Sequence, residues 1–331
     1  MKQQQSTTLV LGATGSFGGA VAAELISRGQ GVRVLVRDAA KLEARFGRNV
    51  GWQVIQGDVQ DAAMLGRAAE GCDVIVHGIN YPYDKWFPNM ETATRNVLAV
   101  ATANDATIVF PGNIYSLGAA GARPHPESAL AAPITKKGEL RRWMEDELKA
   151  YAASGGRVLN VRAGDYFGPT VRNGLVDPAF EAAAAGKRMM VLGDMDIPHQ
   201  WAYMPDLARA TVDLLAQAAS LAPYEVVHFE GIVARPQRSF FSELARQAGS
   251  PDKIFDMPWW MLDLVGMFSP LIREVVAMRY IWDTTVLIEG ARFAELLPEF
   301  VPTPMDRAIG ETLQSYRRDV PIAETAVAAA V

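Results

Sequence analysis

Residues 11–18 read Leu11-Gly12-Ala13-Thr14-Gly15-Ser16-Phe17-Gly18, a Gly-x-x-Gly-x-x-Gly spacing. A short apolar, β-branched run, Thr7–Leu11, precedes it. Helical spacing of Phe17, Val21 and Leu25 follows over 16–28 and stops at Gly29. Gly12 permits the tight turn. Gly15 removes a side chain where a pyrophosphate must approach the backbone, and Gly18 lets the helix lie close to the strand. The free N–H groups at the helix start, around Thr14, Ser16 and Phe17, then hold phosphate. The stretch predicts a dinucleotide-binding α/β domain that uses a nicotinamide cofactor.

Working outward, further apolar strands are predicted at 32–36, 52–55, 73–77, 107–110 and 157–162. Helical segments separate them, including 89–103 and Lys136–Ala153. Near-continuous apolar strands alternating with helices imply a parallel sheet covered on both faces, hence a doubly wound (Rossmann) fold. Beyond Arg162 Gly, Pro and aromatic residues become frequent, as in Ala163-Gly-Asp-Tyr-Phe-Gly-Pro169. The expected organisation is a dinucleotide-binding domain over 1–163, to which 204–229 returns. A smaller, mainly helical substrate-binding lobe takes 164–203 and 230–320, and 321–331 is a flexible tail.

The bulk numbers fit this. In 331 residues half are hydrophobic and 21% charged, with a net charge of −5. That is ordinary globular composition without the concentrated basic patch of a nucleic-acid surface. The single Cys72 excludes an internal disulfide and reads as a packing residue. The four His lack metal-ligand spacing, so no metal is expected. No apolar stretch reads as a signal peptide or a membrane span, so a cytoplasmic protein without integral membrane association is expected. The most apolar segment, 258–270, reads as a cap helix over a hydrophobic pocket; interfacial membrane contact is the other reading.

Cofactor choice is made at the tip of the second strand, where NAD enzymes place an acid on the ribose hydroxyls. Here Arg37 stands there, followed by Asp38. A guanidinium fork pairs with a 2′-phosphate, with Arg33 and Lys41 in support, so NADP is favoured. The alternative places Asp38 on the ribose of NAD. Asp58 and Val59, after the third strand, are expected near the adenine. Gly78 and Asn80, after the fourth, are expected beneath the cofactor.

Taken together, Gly12–Gly18, Gly57-Asp58, Val74-Ile-Val-His-Gly78, Asn113-Ile-Tyr-Ser-Leu-Gly118, Val161-Arg-Ala-Gly-Asp-Tyr-Phe-Gly-Pro169 and Trp201-Ala-Tyr-Met-Pro-Asp-Leu-Ala-Arg209 resemble the extended or atypical short-chain dehydrogenase/reductases of the epimerase/dehydratase superfamily. The resemblance implies a bilobal enzyme with nicotinamide in the cleft and a possible homodimer through 89–103 and Lys136–Ala153. It also implies a Ser or Thr after the fifth strand and a Tyr-x-x-x-Lys pair on the next helix. This chain departs from that pattern. The Ser/Thr position falls on Pro111 or Gly112, and the helix carries Lys137 and Arg141 instead of the pair.

Candidate catalytic groups are therefore Lys137, which also faces the cofactor, Tyr115, and Asn113 as a donor to a substrate carbonyl. Tyr81, Tyr83, Trp86, Tyr166, His199, Trp201 and Arg279 are the candidate substrate contacts. The sequence reading is an NADP(H)-dependent oxidoreductase or isomerase acting on a small carbonyl-bearing molecule. Two alternatives stand beside it: a non-catalytic NADP-binding redox sensor, and a sugar-nucleotide epimerase or dehydratase.

Overall fold

The computed structural model describes residues 7–318 apart from 49, 120, 122, 173 and 251–253. The predicted tail, 321–331, lies outside the described residues. The strands are β1 (Thr7–Leu11), β2 (Gly31–Val36), β3 (Gln53–Gln56), β4 (Val74–His77), β5 (Thr107–Asn113), β6 (Arg157–Ala163), β7 (Asp165–Phe167), β8 (Met189–Val191), β9 (His199–Tyr203), β10 (Tyr224–Phe229), β11 (Ile232–Ala234) and β12 (Ile254–Asp256). The helices that matter below are α1 (Ser16–Ser27), α2 (Ala39–Phe46), α3 (Ala62–Ala69), α4 (Asn89–Asn104), α5 (Lys136–Ala153), α6 (Asp177–Ala184), α7 (Met204–Leu215), α8 (Arg238–Ala248), α9 (Trp259–Gly266) and α10 (Pro270–Val276).

Seven strands form one parallel sheet in the order β10-β6-β5-β4-β1-β2-β3. Its inner strands are apolar because both faces are covered: Leu9, Val10, Leu11, Ile75, Val76, Ile108 and Val109 have no exposed surface. One core lies between the sheet and the α3–α4–α5 side, the other between the sheet and α1 and α7. The strand order reverses on either side of β1, which opens a crevice at the carboxyl ends of β1 and β4. This is where ligands bind in open α/β sheets.

The C-terminal part is helical, with two short sheets that the sequence reading did not contain: β11-β9-β7 and β12-β8. Each of these strands except β9 is three residues long, too short to leave a periodic signal. Its core is aromatic. Phe167, Phe180, Trp201, Phe240 and Phe241 interlock with ring centroids 4.7–6.5 Å apart.

Helices α9 and α10 pack on each other as a hairpin. Trp259 faces the body, 6.1 Å from Trp282, and donates to Asp283. The opposite side, with Trp260, Leu264, Met267 and Phe268, is exposed, Phe268 to 88%. The cap reading of 258–270 thus holds for one side only, because a two-helix hairpin meets the body along a single face. No helix among the described residues is long and apolar enough to cross a membrane.

Two buried histidines make stability depend on pH. His77, at the end of β4, and His228, on β10, are each pushed down to about 3, first by burial and then by Arg141 and Arg162 respectively. An unfolded histidine takes up its proton near pH 6.5. Both folded-state values are depressed, so the stabilisation is complete above pH 6.5 and drains as the pH falls from there towards 3. The loss is on the order of 1 kcal/mol per pH unit for each histidine. Melting temperature should therefore fall from pH 7 to pH 5. A His77→Asn/His228→Asn variant that melts with the wild-type pH slope would refute the assignment.

Candidate functional site

The glycine turn is built for close approach. Gly12 sits at φ +74°, and a Cβ there would lie 2.2 Å from the Gly78 carbonyl oxygen. A Cβ on Gly18 would come within 2.6 Å of the Gly12 oxygen. The turn closes through Gly15 N–H donating to Gly12 O at 2.8 Å. Gly15 is the N-cap of α1, and no side chain caps that end. The first turn of α1 therefore presents backbone N–H groups and the positive end of the helix dipole to the crevice. A dinucleotide diphosphate fits this cradle.

A residue the sequence reading missed flanks it. Arg45 of α2 donates to Thr14 O at 2.5 Å and also to Thr170 O, tying the glycine turn to the segment after β7. Its Nε is buried without a partner. Burial, and then Arg172, lower its pKa to about 10, so it remains a cation at neutral pH. No spacing in the sequence links residues 14, 45 and 170.

At the tip of β2 the two ribose candidates separate. Asp38 is the N-cap of α2, and its Oδ1 accepts from the N–H groups of Ala40 and Lys41. Arg37 is exposed, its guanidinium 6.0 Å above the Tyr81 ring. The expectation that Arg33 assists is corrected: its guanidinium is consumed by Gln53 and by the carbonyls of Ala68 and Glu70 at the end of α3. Lys41 is exposed. Asp58 Oδ1 accepts from Gln60 N–H, Val59 is buried, and Asn80 is exposed beyond Gly78.

At the other end of the crevice a tyrosine cluster forms. The Tyr83 and Tyr115 hydroxyls are 2.5 Å apart. Trp86 packs against both rings and donates its indole N–H to Tyr81 O. The Lys137 ammonium lies 5.1 Å from the Tyr83 ring centroid and pairs with Glu274 of α10. Gly138 makes this possible: a Cβ there would meet Tyr115 O at 2.4 Å, so α5 starts close against the chain leaving β5. Asn113 spends its side-chain oxygen on Tyr115 N–H.

Asp165, which the sequence reading also missed, feels this cluster. Its charge, after burial, raises the pKa values of Tyr83, Tyr115, Tyr166 and Tyr280. Tyr166 and Tyr280 are held up at about 12. At neutral pH all four phenols are protonated; Tyr83 and Tyr115 share one hydrogen bond, and the Tyr280 hydroxyl is buried without a partner. Asp165 Oδ2 accepts from the Trp282 indole N–H at 2.9 Å and lies 3.0 Å from His199 Nε2.

Not every candidate reaches this cluster. Tyr81 bonds Gln60 through its hydroxyl and sits beside Arg37, so it meets the cluster only through its backbone oxygen, which accepts from Trp86. Trp201 is corrected to a core residue: it is 3% exposed and stacks on Phe240 at 4.7 Å. His199 is buried and reaches the cluster only through Asp165. Arg279 is exposed beside Asp283. The absent Ser/Thr also has a steric reason, since a Cβ on Gly112 would lie 2.3 Å from Asn160 Oδ1 and 2.4 Å from Arg162 Cγ.

With this geometry established, the sequence matches the model of the NAD dependent epimerase/dehydratase family over residues 8–228. The chain belongs to that family. No curated protein sequence matches it. Among solved structures, UDP-glucose 4-epimerase from Thermotoga maritima, with UDP-glucose, superposes with a TM-score of 0.76 at 17% identity, covering 94% of this chain and 99% of that one. A dTDP-glucose 4,6-dehydratase from Bacillus anthracis, in complex with NAD, gives 0.77 at 14% identity, covering 97% and 99%. The dTDP-glucose 4,6-dehydratase of Streptomyces venezuelae gives 0.77 at 18%, covering 94% and 97%. At these identities the likeness is one of fold. It confirms the doubly wound sheet with a helical C-terminal part in this member of the epimerase/dehydratase family.

Proposed function

We propose that this family member is an NADP(H)-dependent oxidoreductase or isomerase that acts on a small carbonyl-bearing molecule at the tyrosine cluster. One observation carries the cofactor choice. The acid at the β2 tip is committed to capping α2, while the neighbouring Arg37 guanidinium stands exposed. When bound, the nicotinamide supplies or accepts a hydride. Protonated phenols of Tyr83 and Tyr115, beside the Lys137 ammonium, are suited to polarise a carbonyl and to bear its developing negative charge.

The cofactor reading is tested by titrating NADP⁺ and NAD⁺ into the protein. NADP⁺ should bind roughly tenfold more tightly or better. Arg37→Ala should weaken NADP⁺ by about 1.5–3 kcal/mol, the range for a charge-assisted hydrogen bond, and leave NAD⁺ unchanged. Tighter binding of NAD⁺, or a preference that survives the substitution, counts against it. Loss of NADPH absorbance with a panel of ketones and enones then separates an enzyme from a sensor, which would turn over none. The NAD found with two of the structural neighbours, and the UDP-glucose with a third, favour a sugar-nucleotide reading as the second possibility. It requires this protein to bind a UDP- or dTDP-sugar.

A further inference from the structure

Arg141 is a buried cation without an anion. It lies on α5 one helical turn beyond Lys137 and is 6% exposed. Its Nη2 donates to Pro111 O at the end of β5, and its guanidinium carbon stands 4.6 Å over the Phe110 ring. Its Nε is buried with no partner. Among the described residues no carboxylate pairs with it. The acid one turn further on, Glu145, is held by Arg162 through Nε at 3.2 Å and Nη2 at 2.5 Å. The tyrosines beside Arg141, namely Tyr83, Tyr115 and Tyr166, are themselves neutral phenols, and Glu145, whose charge also reaches Arg141, makes its ion pair with Arg162 instead. Arginine keeps its charge at neutral pH, and a buried charge left uncompensated costs several kcal/mol.

A second observation points to the missing partner. Lys137, 2% exposed, is compensated, and its partner is a carboxylate that arrives from the C-terminal part: Glu274, whose side chain is 40% exposed. The same face of α5 thus carries one buried cation already holding a carboxylate and a second, one turn on, holding none. A guanidinium presents its donors as a planar fork that matches a carboxylate in two places.

We propose that Arg141 receives a carboxylate group of the substrate, so that the carbonyl compound is an oxo acid. This rests on the cofactor and reaction class argued above. The acid would seat on the Arg141 fork at the ends of β5 and β6, with its carbonyl towards the Tyr83–Tyr115 pair. A neutral ribose hydroxyl in the same place would leave the charge uncompensated.

The test uses the protein saturated with NADP⁺, which has no hydride to give a ketone, so binding is measured without turnover. Pyruvate, phenylpyruvate and levulinate are each titrated against their methyl esters by calorimetry. At least one acid should bind roughly tenfold more tightly than its ester. In Arg141→Gln that preference should vanish while NADP⁺ affinity stays within about threefold of wild type; Arg141→Lys, which keeps the charge and loses the fork, should fall between. Three acids that bind no better than their esters would overturn the proposal. So would an Arg141→Gln variant that loses NADP⁺ and keeps the acid preference, which assigns Arg141 to the cofactor. If Arg141→Gln does not fold, the wild-type ratios and Arg141→Lys decide. A protein that fails to bind NADP⁺ refutes the cofactor reading instead, so the two failures are told apart.

Discussion

Gly12→Ala should abolish measurable cofactor binding and destabilise the fold by roughly 3 kcal/mol or more, as steric overlap with fixed backbone does. Two causes act together. Gly12 has φ +74°, which an alanine adopts at a cost of about 1–2 kcal/mol. The new methyl would also lie 2.2 Å from Gly78 O and 2.6 Å from Gly78 C. Both neighbours are backbone, at the two strand ends that flank the cofactor crevice, so relief requires β1 and β4 to part or the turn to deform. Either change moves the N–H groups that would face the diphosphate. Gly29 separates the two causes. It has φ +72°, and a methyl there meets nothing within 4 Å. Gly29→Ala should cost only the conformational part, about 1–2 kcal/mol, and leave cofactor affinity intact. Chemical denaturation and NADP⁺ titration of the two variants check this. If they behave alike, the close approach of the turn to Gly78 is not what requires glycine at position 12.

The same turn explains why so much of the architecture was legible in the sequence. Strands β1, β4, β5 and β6 are buried on both faces, so their apolar runs stand out against the polar segments between them. The glycines at 12, 15 and 18 each answer a backbone constraint that few other contexts impose. Arg37 and Asp38 were both legible as ribose candidates, but their roles were not. Capping of α2 depends on where that helix begins, and this is a structural fact. The tyrosine cluster was half legible. Tyr83, Trp86, Tyr115 and Tyr166 follow strand ends, where topology brings side chains together. Asp165, Glu274 and Arg45 act through partners 31 to 137 residues away, and no local pattern records such pairings. Trp201 misled because an aromatic on a short strand reads the same whether it lines a pocket or fills a core. Its neighbours Phe240 and Phe241 come from α8, nearly forty residues further on.

Glu145→Gln should be as damaging as any substitution outside the glycine turn. Glu145 and Arg162 are 1% and 3% exposed and joined through two bonds. Ser116 donates to the same carboxylate at 3.3 Å. On its other side the Arg162 Nη1 lies 3.3 Å from His228 Nε2, whose ring bonds Glu289 O through Nδ1. That bonding places the proton on Nδ1 and leaves Nε2 to accept from Arg162. Burial already keeps His228 neutral, so it cannot supply the missing negative charge. An amide at 145 leaves the guanidinium uncompensated between β6 and α5, at a cost of about 3–5 kcal/mol. Replacing both partners with apolar residues, as in Glu145→Leu/Arg162→Met, removes the charge together with its counterion and should recover most of the loss. The network also lies directly under the site, because Arg162 Cγ is among the atoms that keep position 112 a glycine. Glu145→Gln should therefore weaken ligand binding at the tyrosine cluster even below its melting temperature. The double variant should restore stability more completely than binding, since methionine does not reproduce the fixed guanidinium beneath β5. Denaturant unfolding of both variants decides the point: a Glu145→Gln protein within about 1 kcal/mol of wild type would mean that water reaches Arg162 and that the pair is not buried as described.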